Sequence, residues 1–169
     1  KNLSSEATEV FFIDEIRKKL RKSIERRMMS DVQMGVFLSG GIDSSTNVAL
    51  MNELSKSPIN TFTVGFKDNP ELNELNYANK ISREFSTNHN EILIDEKDMV
   101  QYLENLIFSQ DEPIADWVCI PLYFVSKICK DSGTKVVQVG EGSDEQFCGY
   151  RNYMEYLRMF QNYWVPFKR

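Results

Sequence analysis

The sequence is poor in the residues on which many reactions depend. Its 169 residues include one histidine, His89, and three cysteines, Cys119, Cys129 and Cys148. A single imidazole excludes the commoner zinc hydrolase sites, and most Ser-His-Asp triads unless His89 itself serves. His89 follows Thr87-Asn88 and precedes Asn90, which reads as a surface turn ahead of a strand. The cysteine spacings, ten and nineteen, fit neither a zinc knuckle nor a redox pair, and an odd count suits no disulfide framework. All three lie among apolar or aromatic neighbours and are expected to be buried, reduced thiols, which makes the location expected of the chain cytoplasmic. A basic excess is also missing: 20 Lys+Arg stand against 25 Asp+Glu, a formal charge of −5. This argues against a nucleic-acid partner. No apolar run approaches the ~18 residues of a membrane span, and no signal peptide opens the sequence, so no membrane partner is expected.

What is present reads as one domain with a core of its own, since 41% of the residues are hydrophobic. Ile13, Ile16, Leu20, Ile24 and Met28 recur at helical spacing, so 10–29 is predicted as an amphipathic helix. Its other faces carry Arg17, Lys18, Lys19, Arg21, Lys22, Arg26 and Arg27, read as a solvated surface. Met34 to Leu38 is a short continuous apolar run, the pattern of a strand buried on both faces. A helix over 43–55 follows, then a strand over 60–66 and a polar loop containing Pro70. Next come a helix over 74–85, a strand at 92–94 and a helix marked by Met99, Leu103, Leu106 and Ile107. The loop 111–120 leads to a helix carrying Leu122, Val125 and Cys129, then a strand over 135–139 and a helical tail from Tyr150. Strands alternating with helices predict an α/β fold: a parallel, Rossmann-like sheet with helices on both faces. The expected organisation of 1–169 is a leading helix to 30, a nucleotide-binding core over 31–150 and an aromatic tail over 151–169.

In such a sheet, ligands gather at the carboxyl ends of the strands. After the first strand comes Leu38-Ser39-Gly40-Gly41-Ile42-Asp43-Ser44-Ser45. Glycines allow a backbone to approach an anion closely, and a helix start offers unpaired N–H groups. Ser39, Ser44 and Ser45 add hydroxyls. Asp43 repels a phosphate unless it holds a divalent cation between itself and the phosphate oxygens. A simple helix cap is the plain alternative; three serines, two glycines and an aspartate in eight residues favour the anion site. No lysine follows the glycines, so this is not the Gly-x-x-x-x-Gly-Lys-Ser/Thr loop. After the fourth strand, Gly140-Glu141-Gly142-Ser143-Asp144-Glu145-Gln146-Phe147-Cys148-Gly149-Tyr150 places three acids among glycines. Alone, this suits a cation site or the acidic first turn of a helix equally well. Paired with Asp43, it favours the cation.

Ser39 to Ser44 resembles the SGGxDS pyrophosphate loop of the N-type ATP pyrophosphatases, an adenine nucleotide alpha hydrolase-like superfamily. Gly140 to Tyr150 is similar to the GEGxDExFxGY signature of the asparagine synthetase family, in its synthetase domain. Ser30-Asp31-Val32, Phe62 to Phe66, Tyr77-Ala78, His89-Asn90-Glu91, Asp111-Glu112-Pro113 and Pro121 to Lys127 match that family in order, so the resemblance covers about 10–150. It implies that Ser39, Gly40, Gly41, Ser44 and Ser45 hold the pyrophosphate of ATP. It implies that Asp43 and Asp144 hold Mg²⁺, and that Leu38, Val64, Val139 and Gly140 line adenine and ribose. Glu141 would help form and use an acyl-adenylate, and the loop 111–116 would face aspartate. The implied reaction is that of an ATP-dependent ligase: aspartate is adenylated to β-aspartyl-AMP with release of pyrophosphate, then amidated by ammonia to asparagine. A related amidotransferase using another carboxylate, such as a sugar or antibiotic precursor, and a non-catalytic nucleotide-binding module are the alternatives.

The sequence departs from the family's pattern in places. The family's glutaminase domain, with its N-terminal cysteine nucleophile, is absent from these residues, and only nineteen residues follow Tyr150. A fragment or isolated domain of a larger enzyme is therefore expected. Val139 stands where serine is common, and Cys148 where glycine is common. The aromatic tail (Tyr150, Tyr153, Tyr156, Phe160, Tyr163, Trp164 and Phe167) is expected to pack on further parts of such an enzyme, or to self-associate if uncovered.

Overall fold

A computed structural model describes residues 8–164 of the chain. The chain forms two compact units that part between Val139 and Gly140. The first holds a four-stranded sheet in the order β3-β2-β1-β4, with every neighbouring pair parallel. Its strands are β1 (Met34–Phe37), β2 (Asn60–Phe66), β3 (Asn88–Ile94) and β4 (Val136–Gln138). The helices between them are α1 (Glu9–Arg27), α2 (Ile42–Leu54), α3 (Leu75–Glu84), α4 (Glu96–Ser109) and α5 (Cys119–Asp131), with a single 3₁₀ turn at Pro70–Leu72. The predicted α/β class and its parallel sheet are present, and the order turns back on either side of β1.

Two packed layers explain why the strands read as continuous apolar runs. On one face Val36 and Leu38 meet Ile24 of α1, Val48, Leu50 and Met51 of α2, and Ala78 of α3. On the other, Phe62 packs with Val125 and Cys129 of α5, flanked by Phe37, Val64 and Val137. Central β2 is buried along most of its length. Burial also pushes the Cys129 thiol pKa up, and its S–H donates to the carbonyl of Thr134 at 3.4 Å. At the amino edge of the sheet, side-chain amides bind strand to strand. Asn60 Nδ2 donates to Thr134 Oγ1 at 2.8 Å and Asn88 Nδ2 to Asn60 Oδ1 at 3.3 Å.

Three expectations are corrected. β3 begins at Asn88, four residues before the apolar triplet at 92–94. His89 therefore lies within a strand, not in a turn, and its ring is held between Thr61 Oγ1 (2.8 Å from Nδ1) and Glu91 Oε1 (3.1 Å from Nε2). Pairing with all seven residues of β2 draws the polar half of this segment into the ladder. The cysteines are free, as expected, but only Cys129 is buried; Cys119 is partly covered and Cys148 exposed. Among the described residues no helix is long and apolar enough to cross a membrane.

Phe62 is completely buried in the central strand. Phe62→Ala should cost about 3–5 kcal/mol in denaturant unfolding, the range for deleting a core aromatic ring.

Candidate functional site

β1 stops at a point fixed by its neighbour. The Leu38 amide donates to the Phe62 carbonyl at 2.9 Å, and the Leu38 carbonyl accepts the Thr63 hydroxyl at 2.5 Å. Both peptide groups at the strand end are satisfied sideways, so the chain is free to turn. Ser39 is tied inward: its amide donates to Ser44 Oγ at 3.3 Å, the two hydroxyls lie 3.0 Å apart, and Ser39 Oγ accepts from the Gly41 amide at 3.2 Å. Ser44 Oγ in turn donates to the Gly41 carbonyl at 3.2 Å. Gly40 takes a left-handed φ of +83°, and a Cβ there would lie 2.5 Å from Tyr77 Cβ and 2.7 Å from the Ala78 amide nitrogen. Only glycine fits so close to α3.

This turn delivers the chain to α2 with its first amides uncapped by any side chain, because the N-cap is Gly41. An uncapped helix start, aligned with the helix dipole, is an anion site in waiting. Ser45 Oγ beside it is buried and without a hydrogen-bond partner among the described residues. A buried hydroxyl left without a partner costs free energy unless a ligand meets it. Asp43 lies half-buried in the first turn of α2. Leu38 is buried, and Val64 lies two residues before the end of β2 on the layer that includes Phe62. Val139 follows β4, and its carbonyl accepts from Asn47 Nδ2 of α2 at 3.3 Å.

The first unit thus brings together Leu38, Ser39, Gly40, Gly41, Asp43, Ser44 and Ser45 at one strand end, with Val139 tied to the same helix. The strand order turns back between β1 and β4, which is where open α/β sheets bind ligands. Thr63 and Tyr77, known from the sequence only as members of matching segments, flank this loop, and Asn47, which the sequence did not single out, ties Val139 to α2. A threonine in a β-branched strand and an asparagine on a helix carry no local signal of such a role.

Gly140, Glu141 and Asp144 belong to the second unit, which includes α6 (Ser143–Phe147), α7 (Arg151–Met159) and a single π-helical turn at Phe160–Trp164. The sequence reading did not resolve α6, a helix of little more than one turn. It is closed at its far end by Cys148, whose amide bonds back to the Asp144 carbonyl with a left-handed φ of +57°. Gly149 donates its amide to that carbonyl at 3.0 Å, and a Cβ on it would collide with the Asp144 carboxylate. The Tyr150 hydroxyl donates to Glu145 Oε1 at 2.7 Å. That bond holds the Glu145 carboxyl below the usual range and pushes the phenol up to about 12. Side chains of Tyr163, Trp164 and Phe167, named as part of the aromatic tail, lie outside those described. Among the described residues no three of His, Cys, Asp and Glu converge as a metal-binding group. Mg²⁺ is ordinarily held by one or two carboxylates together with substrate phosphates, so Asp43 beside an anion site is a donor set that fits it.

The architecture defines the class: an adenine nucleotide alpha hydrolase-like α/β fold. NMN synthetase from Francisella tularensis superposes with a TM-score of 0.54 at 16% identity, over 81% of this chain and 58% of that one. The chain belongs to the asparagine synthase family, which matches residues 15–168. A putative glutamine-hydrolysing asparagine synthetase of Methanocaldococcus jannaschii is 36% identical over 148 residues, 87% of this chain. Glutamine-hydrolysing asparagine synthetase 1 of Bacillus subtilis is 36% identical over 157 residues, 93% of this chain. The chain spans 28% and 24% of these two relatives.

Cys148 occupies a backbone conformation that favours glycine. Cys148→Gly should stabilise the end of α6 by about 1 kcal/mol, read as slower exchange of the Gly149 amide. The Tyr150–Glu145 bond also has a pH signature. Because the folded phenol pKa is raised, its contribution is whole below about 10 and is lost as pH rises through about 12. Because the Glu145 pKa is lowered, the carboxylate's contribution is lost as pH falls through that lowered value. A tyrosinate titration in which Tyr150→Phe removes the latest-ionising phenol checks the bond.

Proposed function

We propose that this chain is the nucleotide-binding part of an ATP-dependent amide synthetase that adenylates aspartate and passes the acyl group to ammonia. The observation that carries the reading is the β1–α2 turn, where a left-handed glycine, uncapped helix amides and the unpartnered Ser45 hydroxyl occupy one strand end. The α2 amides and the Ser45 hydroxyl bind and orient the β- and γ-phosphates, while Ser39 and Ser44, hydrogen-bonded to each other, hold the loop in the shape that receives them. Gly40 and Gly41 keep side chains out of their way. Leu38, Val64, Val139 and Gly140 line adenine and ribose, chiefly through backbone groups. Asp43 and Asp144 would hold Mg²⁺, which when bound neutralises phosphate charge. The β-carboxylate of aspartate displaces pyrophosphate from the α-phosphorus, and ammonia then displaces AMP from the acyl carbon to give asparagine. Glu141 accepts the proton that the nitrogen sheds. Such chemistry asks for positioning and fixed charge more than for a protein nucleophile, which suits a chain with one histidine.

Binding of ATP with Mg²⁺ by the chain, measured calorimetrically, is the first expected outcome. Asp43→Asn should weaken it at least about tenfold, since even partners that merely orient metal ligands are worth that much. Incubation with aspartate and ammonium should give AMP and pyrophosphate only when aspartate is present. Unchanged ATP binding in Asp43→Asn would overturn the site, and AMP release indifferent to the carboxylate supplied would overturn aspartate as the acceptor.

A further inference from the structure

The β1–α2 loop has a charge deficit. A nucleoside triphosphate brings several negative charges, yet the eight residues Leu38 to Ser45 contain no lysine or arginine and add a carboxylate of their own. Helix amides offer only partial charge. The nearest continuation of the loop runs through Gly40 to α3. Its absent side chain leaves room for Tyr77, whose Cβ lies 2.5 Å from where a Gly40 Cβ would stand. Tyr77 is 62% exposed, so its ring, anchored at its base beside Gly40, stands open to solvent at the edge of the loop. Over its ring, at 5.6 Å from the centroid, stands the ammonium of Lys80, itself exposed.

The fold aims this ammonium in a particular direction. α3 follows β2 and leads into β3, so its first turn lies at the carboxyl edge of the parallel sheet, the edge where β1 delivers the loop. Helical side chains lean toward the N-terminus, and residues three apart are neighbours. Lys80 therefore reaches back along α3 over Tyr77, toward the loop. An exposed cation–π contact is weak, about 0.5–1 kcal/mol, and a lysine stem is flexible, so a phosphate can draw the ammonium off the ring. We infer that Lys80, parked on Tyr77, supplies the cation for the outer phosphates of the nucleotide at the Ser39–Ser45 loop. The position of the lysine is what distinguishes this loop from one that carries its own: the charge arrives from α3, across Gly40. This inference rests on the nucleotide reading above and adds the residue that discriminates a triphosphate from a monophosphate.

Calorimetric titration of the chain with ATP, inorganic pyrophosphate and AMP tests it. Lys80→Met should weaken ATP and pyrophosphate about tenfold, the loss of one charge-assisted hydrogen bond, and leave AMP within about twofold. Lys18→Met, at an exposed lysine of α1, should change none of the three. By NMR, the Lys80 ε-methylene protons should be displaced upfield by the Tyr77 ring in the free chain, return on adding pyrophosphate, and lose the displacement in Tyr77→Leu. Equal losses for ATP and AMP, no loss in Lys80→Met, or ε-protons unmoved by pyrophosphate would each overturn the inference. If the parent chain binds ATP and Asp43→Asn abolishes it while Lys80→Met does not, only the lysine assignment falls. If the parent chain binds no nucleotide, the reading beneath it falls as well.

Discussion

Two hydrogen bonds on one residue fix where the β1–α2 loop begins. Leu38 gives its amide to Phe62 and takes the Thr63 hydroxyl on its carbonyl, so both backbone polar groups of the residue that follows β1 are spent on β2. A buried peptide must be paired somewhere; here the pairing is complete before the chain leaves the sheet. The loop that follows therefore owes nothing to the ladder. Ser39 and Ser44 fold it onto itself, Gly40 lets it pass close to α3, and α2 begins with its amides open. Remove the Thr63 hydroxyl and the Leu38 carbonyl is left without this donor.

Elements with a strong period were readable in advance. β2 coincides with its predicted bounds, and the main helices of the first unit fall within a few residues of theirs; α2, α3 and α5 bury apolar residues against the sheet, whereas α4 buries none of its own. The amino half of β3 was not readable: Asn88, His89 and Asn90 carry strand signals only once Asn60, Thr61 and Phe62 stand opposite. α6 escaped because five residues hold no period, and what ends it is a left-handed cysteine. The loop residues themselves were legible as a cluster of hydroxyls, glycines and one acid. Their supports were not, since Thr63 and Tyr77 are distant in sequence and ordinary in type.

The second cluster shows how a string of small and acidic residues becomes geometry. Gly149 leaves space for the Asp144 carboxylate, the Asp144 carbonyl accepts the amides that close the short helix, and Tyr150 holds Glu145 to one side. Two neighbouring acids thereby acquire different surroundings. Glu145 is occupied by a phenol, whereas Asp144 is held by the backbone around it. The spacing of the motif is the spacing of these contacts.

At the opposite edge of the sheet, Asn60 links Thr134 and Asn88 through its side-chain amide, bridging the start of β2 to β3 and to the segment before β4. The contacts of this amide seam lie at the other ends of the strands from those that shape the β1–α2 loop. On the nucleotide reading proposed above, a substitution in the loop would cost binding and leave the seam intact. A chain that melts normally, or expresses well, would give no sign of that loss.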